Sequence, residues 1–122
     1  MKKKAILQKL KEFEKEERYL DKNMSLSALS YSLNTNNTYL SELINKDFNK
    51  NFSTYINELR VGYIIKKLNQ NPKYRNYKIS TLADESGFTS HSAFSIVFKK
   101  TIGLPPSDYI KTLDKNVLQN IN

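Results

Sequence analysis

The sequence predicts an all-α chain of about seven helices, in which two helix-turn-helix units are joined by a long linker helix. Three observations support this fold class. A short sequence pattern occurs twice, 53 or 54 residues apart. Apolar residues recur at the i, i+3, i+4 and i+7 spacing of amphipathic helices. The chain has only three glycines and three prolines, and almost all of them lie between the periodic segments, where they separate helices.

The repeated pattern sets the boundaries of the two units. The first copy covers residues 26–56 and the second covers residues 79–110. Leu29 and Leu82 are 53 residues apart, whereas the offset is 54 after the turn, so the second copy has one extra turn residue. Each copy predicts two short helices around a tight turn, which is the layout of a helix-turn-helix.

The first predicted element is a charged helix from Lys2 to Leu20, with Ile6, Leu10 and Phe13 on one face. We expect this face to pack on the first unit. The alternatives are a contact with a sensor domain or with a second copy of the chain. The lysine run that opens the helix is either a basic arm for phosphates or a solvated end.

The first helix-turn-helix unit is expected at residues 25–48. Ser25 is a natural N-cap for the helix that begins at Leu26. Asn34 can adopt the left-handed conformation that closes this helix. A recognition-type helix follows over residues 37–46, and its predicted buried residues are Leu40, Leu43 and Ile44.

The linker helix is expected at residues 52–70, since Asn-Gln-Asn-Pro follows the last apolar position and signals an end. Roughly 17 helical residues would extend about 25 Å. Such a rod could hold the two units at a fixed separation. Its apolar positions are Phe52, Tyr55, Ile56, Leu59, Ile64 and Leu68.

The second unit is expected at residues 79–113. Its two helices are predicted over residues 79–86 and 90–100, and Pro106 can occupy the first position of a last short helix. Residues 114–122 are expected to form a C-terminal tail. In the alternative, the last helix is prolonged by Val117, Leu118 and Ile121.

Each unit is expected to enclose a miniature core. Ser30 and Ala83 are small where the two helices of a unit cross closely, while Asn34 and Gly87 tolerate the positive φ of the turn. The predicted core residues are Leu29, Leu40, Leu43 and Ile44 in the first unit, and Leu82, Phe88, Phe94 and Phe98 in the second.

The composition limits the kinds of partner and site. Lys and Arg number 20 against 12 Asp and Glu, so the formal net charge is +8, which favours a polyanionic partner. The chain has no cysteine, which excludes disulfides and thiolate zinc sites. No apolar run approaches the roughly 20 residues of a bilayer span, and no signal peptide is visible. A cytoplasmic location is therefore expected.

The sequence contains no recognisable catalytic motif, because no Gly-rich phosphate loop and no paired nucleophile and base are evident. His91 is the only histidine, and a single imidazole without acidic or cysteine neighbours is a poor metal or catalytic candidate. We expect no enzyme activity, no metal and no cofactor. Two helix-turn-helix units in a basic chain instead suggest a reader of double-stranded DNA with two recognition elements.

The residues of the second unit also carry a family resemblance. It reads Ile-Ser-Thr-Leu-Ala-Asp-Glu-Ser-Gly-Phe over residues 79–88, then Ala-Phe-Ser over 93–95, Phe-Lys-Lys over 98–100 and Gly-Leu-Pro-Pro over 103–106. This resembles the DNA-binding domain of AraC/XylS-type transcriptional regulators. The first unit is similar in its Tyr-Leu-Ser at residues 39–41, and the resemblance extends over roughly residues 26–113.

We expect residues 1–113 to form one DNA-binding domain, and the resemblance implies that the second helices of its two units enter successive major grooves on one side of the DNA. It implies a sequence-specific transcription regulator with double-stranded DNA and RNA polymerase as partners. In that family the sensing part usually lies in another domain, so the sequence is expected to be either a stand-alone reader or the C-terminal part of a larger regulator with a sensor domain. The alternative from another class is a helical protein-interaction module whose basic surface meets an acidic protein.

Candidate base-reading residues lie on the exposed early face of each second helix. In the first unit these are Asn36, Asn37, Thr38, Ser41 and Glu42, with Asn45 and Lys46 nearer the phosphates. In the second unit these are Ser90, His91, Ser92, Ser95 and Ile96, with Lys99 and Lys100 nearer the phosphates. Any one of them can instead be solvated, and for Thr89 or Ser90 an N-cap role is an equal alternative.

Three positions are interpreted from the resemblance. Related proteins often have Arg at the positions of Glu42 and Ile96. Glu42 can accept from a cytosine amino group or repel the phosphates, and Ile96 can pack against a thymine methyl. Arg60 lies where the family usually has Arg, so it either anchors a phosphate or braces the two subdomains. Lys66 and Lys67 are expected to be solvated linker charges.

Overall fold

The regular structure of the described residues is entirely helical. The computed structural model describes the backbone of residues 2–121 and the side chains of residues 2–114, and every regular element in that range is helical. The predicted all-α class is therefore confirmed. The seven α-helices are α1 (Lys2–Lys15), α2 (Leu26–Ser32), α3 (Asn37–Phe48), α4 (Phe52–Gln70), α5 (Ile79–Glu85), α6 (His91–Ile102) and α7 (Pro106–Ile121). Short 3-10 segments span Arg18–Leu20 and Pro72–Asn76.

The chain divides into a first compact unit, Met1–Leu59, and a second one, Arg60–Asn122, and α4 contributes residues to both. In the first unit α2 packs against α3. The four predicted core residues of this unit are buried, as are residues of α1 and α4. Its buried apolar residues are Ile6, Leu10, Phe13, Tyr19, Leu29, Leu33, Leu40, Leu43, Ile44, Tyr55 and Ile56.

The second unit has a core rich in phenylalanine. α5 and α7 both pack against α6, and the ring of Phe94 lies 5.4 Å from that of Phe88 and 5.7 Å from that of Phe98, measured between centroids. The four predicted core residues are confirmed, and α4 adds three more. The buried cluster contains Val61, Ile64, Leu68, Leu82, Ala83, Phe88, Phe94, Phe98 and Ile110.

The prediction of one continuous helix from Lys2 to Leu20 was wrong, since α1 ends at Lys15. Glu17 adopts the left-handed conformation with φ 57°, and a 3-10 turn follows it. This turn allows Tyr19 to be buried with its ring 6.2 Å from that of Phe13, edge to face. Burial of an aromatic ring outweighs the modest cost of a left-handed glutamate.

The apolar face of α1 packs within the first unit, as expected. Ile6, Leu10 and Phe13 are all buried. The hydroxyl of Tyr55 donates to Oε2 of Glu14 over 2.5 Å, which links α1 to α4. Burial, followed by this hydrogen bond to a carboxylate, raises the pKa of Tyr55 far above its ordinary value.

The two turns have the backbone conformation that the sequence predicted. Asn34 has φ 60° and Gly87 has φ 89°, a region that asparagine and glycine enter at least cost. Ser30 and Ala83 are buried where the helices of each unit meet. The same turn chemistry thus shapes both units despite the extra residue in the second.

The helix ends differ in detail from those predicted. α3 continues to Phe48 and is closed by Asn49 at φ 57°, while α6 continues to Ile102 and is closed by Gly103 at φ 94°. The backbone of α7 is helical to Ile121, so the expectation of a tail over residues 114–122 was wrong for 114–121, and the alternative of a prolonged helix holds. Among the described residues, no helix is both long and apolar enough to cross a membrane.

Candidate nucleic-acid interface

The two helices predicted to read DNA, α3 and α6, are called the recognition helices, and each begins at a polar N-cap. Oδ1 of Asn36 accepts from the backbone N–H of Tyr39 over 2.8 Å at the start of α3. Oγ of Ser90 accepts from the backbone N–H of Ala93 over 3.1 Å at the start of α6. Both residues were predicted to face DNA, and both have at least this structural role, which orients the first turn of each helix.

We expect Asn36→Ala and Ser90→Ala each to reduce the free energy of unfolding by about 1 kcal/mol, because each change leaves a helix N-terminal N–H without its side-chain acceptor. Urea denaturation measures the effect. Ser92→Ala is the matched control, since Ser92 is exposed and lies within α6. Equal stabilities of all three variants and the parent would contradict the capping role.

The predicted contact residues line one exposed face on each recognition helix. On α3, Ser41 is partly buried, and the exposed members are Asn37, Thr38, Glu42, Asn45 and Lys46. On α6, Ser95 is partly buried, and the exposed members are His91, Ser92, Ile96, Lys99 and Lys100. The pattern of exposure is the same at all six pairs of positions that are 54 residues apart. The structure therefore brings each predicted set together on a single helix face.

Two asparagines of this face already have hydrogen-bond partners. The carboxamide of Asn37 accepts from Oγ of Ser30 over 2.6 Å and donates to Oγ of Ser27 over 2.9 Å, so it connects α3 to α2. Nδ2 of Asn45 donates to the backbone oxygen of Ser41 over 2.9 Å. Any contact of the Asn37 carboxamide with another molecule would therefore have to break its bonds to α2.

The two faces differ in charge. α3 carries Lys46 together with two carboxylates, Glu42 and Asp47. α6 carries Lys99 and Lys100 and no carboxylate. The second recognition helix is therefore the more favourable one for a polyanion.

Arg60 differs from the other candidates because it is buried, with 8% of its surface exposed. Its guanidinium carbon lies 5.7 Å from the centroid of the Phe88 ring, a cation–π arrangement within the second unit. This environment favours a packing role over a phosphate contact. Lys67 also departs from expectation, since its Nζ lies 5.4 Å from the ring centroid of Tyr63 and 5.9 Å from that of Tyr74.

Tyr74 belongs to a small polar cluster on the second unit. Its hydroxyl donates to Oε2 of Glu85 over 2.9 Å. This hydrogen bond is the main cause that raises the pKa of Tyr74 to about 12. The bond connects the 3-10 segment at Pro72–Asn76 to α5 and lies outside the two recognition faces.

The N-terminal lysines contact α3, which the sequence did not predict. Nζ of Lys2 lies 4.6 Å from the centroid of the Tyr39 ring, and Nζ of Lys3 lies 3.2 Å from Oδ1 of Asp47. The signal in the sequence was a lysine run at the start of a helix, where acidic residues are usually preferred. Among the described side chains, no group of three His, Cys, Asp or Glu residues could hold a metal ion.

Known proteins share both the sequence pattern and the fold. A sequence profile described as a helix-turn-helix domain matches residues 29–112. The transcriptional regulatory protein YesN of Bacillus subtilis is 34% identical over 89 residues, which are 71% of this chain and 23% of that protein. The chain spans less than a quarter of the length of the curated relatives it matches.

Two solved structures show the same architecture. The C-terminal domain of the two-component response regulator YesN from Fusobacterium nucleatum is 28% identical, with a TM-score of 0.70 over 84% of this chain and 98% of that chain. The C-terminal domain of AraT, a response regulator from Geobacillus stearothermophilus, has a TM-score of 0.76 over 88% of this chain and 84% of that chain, and at 21% identity it shows the shared fold. The chain belongs to the AraC/XylS-type family of transcriptional regulators and represents its helix-turn-helix DNA-binding domain.

Proposed function

We propose that the chain binds double-stranded DNA in a sequence-specific manner and regulates transcription, with α3 and α6 in successive major grooves. The observation that carries this proposal is the equivalence of the two exposed faces, which present polar side chains at matching positions of two recognition helices. A major groove admits one α-helix, and its base edges offer donors, acceptors and thymine methyl groups to such side chains.

The exposed residues suggest a division of roles along each helix. Thr38 and Glu42 of α3, and Ser92 and Ile96 of α6, lie one helical turn apart on the early part of the face. They can offer hydroxyl groups, an acceptor and an apolar contact to bases. Lys46, Lys99 and Lys100 lie farther along the same faces and can meet phosphates, together with Asn45.

Selection of bound sequences from a random duplex pool, followed by footprinting, tests the proposal. Because the two faces differ in sequence, we expect an asymmetric site with two protected major-groove segments about 34 Å apart, one turn of DNA. A palindromic site or a single short protected segment per chain would contradict the two-groove mode. If no duplex binds at low salt while an acidic protein does, the interaction-module alternative is correct.

Lys99→Ala should weaken binding to every duplex to a similar degree and reduce the slope of log affinity against log salt by about 1, because one phosphate contact is lost. Mobility shifts at several salt concentrations measure both quantities. Lys66→Ala is the control, since Lys66 is an exposed lysine of α4 outside the two faces. A lost preference at one base pair with an unchanged salt slope would assign Lys99 to base reading instead.

The remaining partners are also proposals. RNA polymerase is the expected partner through which the DNA-bound protein activates or represses transcription. A sensing part is expected to control the domain, and the origin of similar solved domains in response regulators supports this view. Transcription in vitro from a promoter that contains the selected site, with purified polymerase, tests the first of these partners.

A further inference from the structure

The lysine run at the start of α1 reaches the first recognition helix through its side chains. Lys3 forms an ion pair with Asp47 at 3.2 Å. The ammonium group of Lys2 lies 4.6 Å from the centroid of the Tyr39 ring. Both contacts lie within the first unit, so α1 holds two positive charges at the side of α3.

The contacted side of α3 borders its exposed face. Tyr39, Glu42, Leu43 and Lys46 recur at i, i+3, i+4 and i+7, which places them in one row along the helix. With Lys3 and Asp47 they line a single surface cleft. Since Glu42 and Lys46 also belong to the exposed face, Lys3 reaches the edge of the proposed DNA-reading surface.

The negative charge of α3 suggests a role for these lysines. α3 alone has one lysine and two carboxylates, whereas α6 has two lysines and no carboxylate. The formal charge of α3 by itself is −1, and together with Lys2 and Lys3 it becomes +1. A helix that enters a groove between two phosphate backbones needs positively charged side chains beside it, because neutralisation of phosphates supplies most of the non-specific affinity.

Local stability does not account for the lysines. The first turn of α1 contains no acidic residue, and positive charges there oppose the helix macrodipole. The side chain of Lys3 remains 54% exposed in its ion pair, and exposed pairs stabilise proteins little. A local arrangement that works against stability is expected at a functional surface.

We propose that Lys2 and Lys3 are part of the DNA interface of the first unit. Lys2 contacts a phosphate beside the groove that α3 occupies, and Lys3 neutralises Asp47 next to the same backbone. This inference rests on the proposed function. It makes α1 an active part of the reader in addition to its packing role.

Mobility shifts with the whole chain test the proposal, on the selected duplex and on an unrelated one, over a series of salt concentrations. For Lys2→Ala/Lys3→Ala we expect affinity for both duplexes to fall about fivefold to tenfold at low salt, and the salt slope to fall by about 1. Lys2→Arg/Lys3→Arg retains the charges and should retain both values. The control, Lys9→Ala/Lys15→Ala, removes the same charge about 10 and 20 Å farther along α1 and should change the slope much less.

Equal slopes for Lys2→Ala/Lys3→Ala and the parent chain would overturn the proposal, and so would an equal loss of slope in the control pair. Thermal unfolding by circular dichroism verifies that each variant is folded, and Lys2→Gln/Lys3→Gln replaces the alanine pair if that pair melts early. If the parent chain itself binds no duplex, the proposed function fails. If the parent binds and the two double variants behave alike, only this inference fails.

Discussion

Phe94→Ala is expected to reduce the free energy of unfolding of the second unit by about 3 to 5 kcal/mol, the usual cost of removing a buried phenylalanine ring. Phe94 has no exposed surface, and its ring contacts those of Phe88 and Phe98. Since small domains have a total stability of about 5 to 15 kcal/mol, this loss is a large share. Urea denaturation monitored by circular dichroism measures it.

The same variant should lose the part of the DNA footprint that α6 protects, because α6 cannot be positioned without its core. Ile96→Ala is the matched control on the same helix, since 69% of Ile96 is exposed. Its stability should change by no more than about 0.5 kcal/mol, and its base preference should change only at the position that Ile96 contacts. A change below about 1 kcal/mol for Phe94→Ala would contradict the described core.

Internal repetition made most of the fold predictable. Leu40 and Phe94 occupy equivalent positions 54 residues apart, and both are fully buried. Asn34 and Gly87 close the first helix of each unit with positive φ. Where two copies agree in apolar spacing and turn chemistry, each supports the interpretation of the other. The helical spacing of the apolar residues between the copies then predicts the linker helix.

Tertiary contacts decided the features that the sequence did not reveal. The Glu16-Glu17-Arg18 sequence contains no glycine or proline, yet α1 has already ended there, because the turn allows Tyr19 to pack against Phe13. The bonds of Asn37 to α2 depend on how two helices cross, and such contacts have no signature in a single segment. The burial of Arg60 over Phe88 likewise depends on residues 28 positions apart.

Glu42→Ala is expected to tighten binding to every duplex alike. Glu42 is exposed on the face of α3, and Asp47 adds a second carboxylate to the same helix. A carboxylate roughly 7 Å from a phosphate is repelled by about 0.6 to 2.4 kcal/mol, depending on the local dielectric constant. Removal of Glu42 should therefore raise affinity between about threefold and fiftyfold at low salt, and less at high salt.

The competing hypothesis gives Glu42 a cytosine amino group to accept from, and it predicts the opposite pattern. Glu42→Ala would then weaken binding by about 1 to 3 kcal/mol at one base pair of the preferred site and leave other positions unchanged. Affinities for the selected site and for a set of single-base variants separate the two patterns.

Glu12→Ala is the control, because it removes an exposed carboxylate of α1 and should change binding little. Glu42→Gln keeps the shape without the charge, so it should tighten binding as Glu42→Ala does if repulsion by the phosphates is the cause. Unchanged binding in both variants would show that Glu42 is solvated in the complex and would exclude both hypotheses.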